Sequence, residues 1–146
     1  METFRGSYQA TVDDKGRLKL PARLKTQLEE WFGPRVFVTS LSPLELRVYP
    51  LTVWEELERR FLVRPSMEPL VQRLLEHANY GQEDEVDAQG RVLVPALLRD
   101  VLGGNGEVVV SGRGRFLAVV ARDRAQAELA TAFTSEELAA LAALEQ

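Results

Sequence analysis

Residues 13–25 read DDKGRLKLPARLK, and residues 87–99 read DAQGRVLVPALLR. Six positions are identical at a constant offset of 74: Asp13/Asp87, Gly16/Gly90, Arg17/Arg91, Pro21/Pro95, Ala22/Ala96 and Leu24/Leu98. Three more are conservative, Leu18/Val92, Leu20/Val94 and Lys25/Arg99. In a chain of 146 residues this repeat constrains the fold more than any other feature. The molecule is built from two versions of one small unit.

The first unit reads as strand, turn, strand, helix, strand, turn, strand, helix. Tyr8, Ala10 and Val12 alternate as in a strand, and Asp14-Lys15-Gly16 turns, with Gly16 suited to a left-handed position. Pro21 suits the first turn of a helix carrying Leu24, Leu28 and Trp31 or Phe32, which Gly33-Pro34 ends. Val36–Leu41 and Leu44–Val48 are strands around Ser42-Pro43, and Val53, Trp54, Leu57 and Phe61 form a second helical stripe. The second unit repeats the order, with Leu98 and Leu102 aligned to Leu24 and Leu28, and Leu129 and Phe133 to Leu57 and Phe61.

A unit of about fifty residues buries too little surface to stand comfortably alone. Two units that pack or interleave their strands solve that problem. The expected organisation is a first repeat at 1–63, a helical linker at 64–80, a second repeat at 81–133 and a C-terminal helix at 134–146. Thr134 and Glu137 have capping-box spacing at the start of that helix. Its Leu138, Leu141 and Leu144 need a partner, in the same chain or in a neighbouring subunit.

Composition excludes several classes. There is no cysteine, so disulfide and thiolate chemistry are absent, and zinc lacks its commonest ligand. No apolar run approaches the ~18 residues of a membrane span, and Met1–Thr11 does not resemble a signal peptide. A cytoplasmic protein fits. Net charge is −4, which by itself argues mildly against a nucleic-acid partner. The distribution argues the other way. Lys15, Arg17, Lys19, Arg23 and Lys25 face only Asp13 and Asp14 within 13–25, whereas acids gather at Glu55, Glu56 and Glu58 and at Glu83, Asp84 and Glu85.

A hairpin explains much of the repeated motif. Asp13 and Asp87 can accept hydrogen bonds from turn amides, and glycine supplies backbone freedom. A hairpin makes no demand for guanidinium at Arg17 and Arg91. A nearby aspartate can hold the arginine stem and leave donors for an anion, and the planar fork suits phosphate or a guanine edge.

These residues resemble the MraZ family of bacterial transcription regulators. Phe4-Arg5-Gly6 is similar to the family's opening, Asp13–Arg17 and Asp87–Arg91 to its two Asp-x-x-x-Arg motifs, and Val48-Tyr49-Pro50 with Trp54-Glu55 to its passage into the following helix. The resemblance implies an α+β fold of tandem swapped-hairpin, SpoVT/AbrB-like β-barrel repeats with flanking helices. It also implies a ring-shaped homo-oligomer that binds double-stranded promoter DNA at repeated boxes upstream of the division and cell-wall genes, its own included, in the nucleoid. Asp13, Arg17, Asp87 and Arg91 carry over as motif residues, and Lys15, Lys19 and Arg23 join them through their charge. The second copy has Ala88, Gln89 and Leu93 where the first has Asp14, Lys15 and Lys19. The more basic first copy is therefore expected to dominate.

Nothing in the sequence asks for a cofactor, a metal, a membrane or a small-molecule substrate. His77 is the lone histidine, without metal-ligand spacing around it. The glycines of 103–106 and 112–114 match no phosphate loop and read as a helix stop and a turn. Trp31 and Trp54 occupy apolar helical positions and read as core. Nothing positions a pair of carboxylates for catalysis, so an enzyme is not expected. The competing reading is a protein-interaction module with an acidic surface and an assembling C-terminal helix.

Overall fold

The computed structural model describes residues 2–63, 68–103 and 105–146. Residues 64–67 of the expected linker and Gly104 of the expected helix stop lie outside them. Alternation at Tyr8 and Ala10 forms β1 (Ser7–Thr11), and β2 (Arg17–Lys19) follows the turn. Pro21 caps α1 (Ala22–Phe32), which buries Leu24 and Leu28 and ends at Gly33. β3 (Arg35–Ser42), β4 (Glu45–Pro50), α2 (Leu51–Leu62) and α3 (Pro69–Ala78) complete the first half. The second half runs β5 (Gln82–Glu85), β6 (Arg91–Leu93), a 3₁₀ helix (Ala96–Leu102), β7 (Glu107–Gly112), β8 (Leu117–Ala121) and α4 (Arg122–Leu129). α5 (Ser135–Leu144) closes the chain.

The two halves exchange strands. One antiparallel sheet has the order β1-β7-β8-β4-β3-β5, and β2 pairs with β6 in a separate ribbon. β1 of the first half therefore lies on β7 of the second, and β5 of the second lies on β3 of the first. Among the described residues these strands form an open order and close no barrel.

The exchange produces one shared core. Leu18, Leu20, Val92 and Val94 from the ribbon segments meet Leu24, Leu28, Leu98 and Leu102 from the helices. Val36, Val38, Val48, Val108, Val110 and Val119 close the core from the sheet. Each such aliphatic side chain contributes about 1.5–3 kcal/mol when fully buried. On the other face of β3 and β4, Phe37, Tyr49 and Trp54 form a smaller cluster under α2, with Phe37 and Trp54 stacked at 4.9 Å.

The second half departs from the first in two ways. Its first helix is a short 3₁₀ segment, because Gly103 at φ +77° ends it after Leu102. The expected match of Leu129 and Phe133 to Leu57 and Phe61 does not give a packed stripe. Both are exposed, at 87% and 64%. α4 ends at Leu129, and at the 72-residue spacing of that match the place of Trp54 is taken by Gln126. Without that aromatic anchor, α4 buries no residue.

Candidate nucleic-acid interface

Each Asp-x-x-Gly-Arg segment folds into the same locked turn. Asp13 Oδ1 accepts from the amides of Lys15 at 3.0 Å and Arg17 at 2.8 Å, while Gly16 N donates to Asp13 O at 3.0 Å. In the second copy, Asp87 Oδ1 accepts from Gln89 N at 2.9 Å and Arg91 N at 2.8 Å, and Gly90 N donates to Asp87 O at 2.9 Å. Gly16 and Gly90 have φ of +82° and +81°, the left-handed region that the turn requires. The Arg17 amide holds the Asp13 carboxyl below its ordinary value of 3.8, against a desolvation cost, with help from the Lys15 amide and the Arg17 charge. The Arg91 amide does the same for Asp87, and Arg17 of the other copy contributes to the lowering by its charge.

The two turns meet. β2 and β6 pair antiparallel with Arg17 opposite Leu93, Leu18 opposite Val92 and Lys19 opposite Arg91. Leu20 N donates to Gly90 O and Val94 N to Gly16 O, each at 2.8 Å, so each turn is tied to the chain of the other repeat. Strand alternation places Leu18 and Val92 in the core, both 1% exposed. It places Arg17, Lys19, Arg91 and Leu93 on the opposite face of the ribbon. Lys15 is exposed at the first turn, and Arg23 is exposed on α1, outside the ribbon.

The outward cations have few acidic partners. Arg17 Nε lies 3.4 Å from Asp13 Oδ2, a long ion pair that orients the stem. Among the described residues, Lys15, Lys19, Arg23 and Arg91 form no salt bridge. The carboxylates of Asp13 and Asp87 are engaged as turn anchors. Their contribution to the surface is to fix where each arginine starts.

The family model described as "MraZ protein, putative antitoxin-like" matches residues 3–77 and again residues 77–140. The chain belongs to the MraZ family. It is similar to the transcriptional regulator MraZ of Acidobacterium capsulatum, with 44% identity over 117 residues covering 80% of each chain. It is similar also to the transcriptional regulator MraZ of Koribacter versatilis, with 42% identity over 137 residues, 92% of this chain and 93% of the relative. The MraZ regulator of Nitrosomonas europaea is 38% identical over 114 residues, 76% of each chain. The two matched stretches mark two MraZ repeats in sequence, while the strand exchange makes their turns one surface in space.

Two residues of this surface escape a reading by sequence neighbours. Arg99 reaches across to the first turn, where Nη2 donates to Lys15 O at 3.1 Å and Nε to Val94 O at 3.3 Å. Its repeat mate Lys25 lies against Gly90, where an added Cβ would stand 2.8 Å from Lys25 Cδ, and its ammonium pairs with Glu29 at 2.8 Å. The signal for both is the conservative Lys25/Arg99 match. Asp84 is the other. Grouped in sequence with an acidic run apart from the motif, it accepts from Leu93 N at 2.7 Å and so places a carboxylate at the edge of β6. Among the described residues, no group of three or more His, Cys, Asp or Glu side chains is arranged to hold a metal.

Proposed function

We propose that this chain is a sequence-specific DNA-binding transcriptional regulator that reads promoter DNA with the β2–β6 ribbon. The carrying observation is the outward ribbon face, where Arg17, Lys19 and Arg91 from two distant segments stand together and, among the described residues, only Arg17 has an acidic partner. A two-stranded β-ribbon fits the major groove of B-DNA, where arginine donates in bidentate fashion to guanine O6 and N7. Lys15 and Arg23 supply phosphate contacts around it, and Asp13 and Asp87 act by positioning.

The relatives' name as transcriptional regulators supports this reading. No described helix is long and apolar enough to cross a membrane. The finer parts of the proposal follow the family resemblance. They are swapped-hairpin repeats with the boundaries given above, a homo-oligomeric ring, and repeated boxes upstream of the division and cell-wall genes, including the protein's own. Closed symmetry would repeat the ribbon on every subunit and let weak contacts add through effective concentration. That arrangement reconciles a net charge of −4 with an anionic ligand.

The test is a titration of DNA from upstream of the protein's own gene at several salt concentrations. The expected log–log slope is about −0.9 for each phosphate neutralised. A protein that leaves this DNA unbound at low salt would be an interaction module instead.

A further inference from the structure

We propose that α5 of one copy docks into the groove that α2 forms with β4, Leu74 of α3 and the β7–β8 turn of a second copy, joining subunits head to tail. This rests on the oligomeric reading above and names the contact that makes the oligomer.

α5 is a well-formed helix with nothing on it. Thr134 and Glu137 complete both halves of a capping box, at 3.1 and 2.9 Å. Yet every residue from Gln126 to Gln146 is exposed, including Leu138, Leu141 and Leu144. The first-half helix in the same place, α3, is docked: its Ala78 is fully buried and its carbonyl accepts from Thr39 Oγ1 at 2.7 Å. An isolated helix of ten residues is marginal in water. A fully capped one with a leucine ridge is built to be covered.

The groove supplies the complement. It measures about 390 Å³, and its floor includes Leu57, Phe61, Leu74 and Phe116. Its charged lining is Arg47, Arg60, Arg113 and Arg115 against the single acid Glu56. Arg113 and Arg115 are tied to Glu45 and Glu56, whereas Arg60 forms no salt bridge among the described residues. Residues 135–146 carry Glu136, Glu137 and Glu145 and no basic side chain. An acidic helix with an apolar ridge thus meets an apolar groove whose charged lining is net basic.

Position in the sheet favours a second copy over the same chain. α5 leaves from α4, which packs on β7 and β8, while α2 and α3 pack over β3 and β4 in the other half of the sheet. A contact from the second-half end of one copy to the first-half end of the next is heterologous, the kind that closes into a ring when the rotation allows it.

The chain has no native cysteine, so engineered disulfides report cleanly. One tagged full-length chain carries Leu141→Cys, and a second, differently tagged, carries Arg60→Cys. On mild oxidation the mixture is expected to give a disulfide between the two tags. In parallel, Leu138→Glu with Leu141→Glu is expected to keep the parent's circular dichroism and to lower its mass by light scattering toward 16.4 kDa. A disulfide that forms only when both cysteines are in one chain, or a double variant with the parent's mass, overturns this docking and leaves the oligomer standing. A parent that is itself a 16.4 kDa species at micromolar concentration overturns both.

Discussion

Lys19 and Arg91 stand directly opposite each other in the β2–β6 ribbon. The hydrogen bond from Leu20 N to Gly90 O puts them at the neighbouring non-hydrogen-bonded position, where facing side chains come closest. Like charges placed this way are destabilising. The ribbon tolerates the repulsion because Leu18 and Val92 on its other face are fully buried. An anion placed between the two cations would relieve it.

Arg17→Ala and Arg91→Ala are each expected to weaken binding to promoter DNA by about 1–3 kcal/mol per lost base contact, roughly 5- to 150-fold. The chain order favours Arg17, which has Lys15 and Lys19 beside it. The ribbon gives Arg91 the same Lys19 across the strands, so the two losses are expected to be similar. Lys19→Ala should lower the salt slope by about 1 and weaken all sequences alike. Fluorescence anisotropy at several salt concentrations separates these outcomes. Unchanged affinity in both arginine variants would remove the ribbon as the reading surface.

Asp84→Asn is expected to raise DNA affinity at low salt. The amide keeps an acceptor for Leu93 N, now met by the carboxylate at 2.7 Å, and removes a negative charge from the edge of β6. Exposed charges are screened over about 10 Å at 0.1 M salt, so the gain should fade as salt rises. An equal gain at all salt concentrations would mean that Asp84 acts through the fold.

Gly16→Ala is expected to cost about 1–2 kcal/mol in urea unfolding, chiefly because alanine is strained at φ +82°. The new Cβ would also overlap the guanidinium of Arg99. That side-chain end can move, at the cost of its bonds to Lys15 O and Val94 O. In a double-mutant cycle, Arg99→Ala should therefore recover only part of the loss. Full recovery would show that contact, and not backbone strain, sets the need for glycine.

Acid should loosen the turns. Asp13 and Asp87 have carboxyls held below their ordinary value of 3.8 by the Arg17 and Arg91 amides. A carboxylate with a lowered folded-state value stabilises the fold fully above the unfolded value and loses that effect as pH falls toward the folded one. The urea midpoint is thus expected to be flat near neutrality as far as these groups go, and to fall below about pH 4. The double variant Asp13→Asn with Asp87→Asn should start from a lower midpoint and show a smaller fall. A parallel fall in both proteins would assign the acid sensitivity to other groups.

Much of the element order was readable from punctuation. Pro21 and Pro50 cap α1 and α2, Gly33 ends α1, and Leu46 and Val48 alternate on β4, whereas Leu44, expected to open that strand, is exposed in the turn before it. These signals act over a few residues, where backbone sterics and side-chain spacing decide. The repeat also pointed correctly to Leu98 and Leu102 as core. Which strand pairs with which was not readable, since Ser7–Thr11 finds Glu107–Ser111 and no local signal names a partner at that distance. The same limit hid Asp84 beneath Leu93 and Arg99 beside Lys15. Leu129 and Phe133 misled because residue matching carries no information on whether an anchor such as Trp54 is present to build on.

Ser7 and Ser111 share a hydrogen bond of 2.7 Å between side chains 104 residues apart. During synthesis, therefore, β1 leaves the ribosome long before β7 exists. At about 5–20 residues per second the wait is roughly 5–20 seconds, and every such non-local pairing slows folding further. Neither half can finish on the ribosome by itself. The first waits as a segment with an unpaired strand edge, shielded only by its own helices or by a chaperone. Supplied as two separate polypeptides split between the halves, the chain should complement itself, each fragment lending the other the strand it lacks.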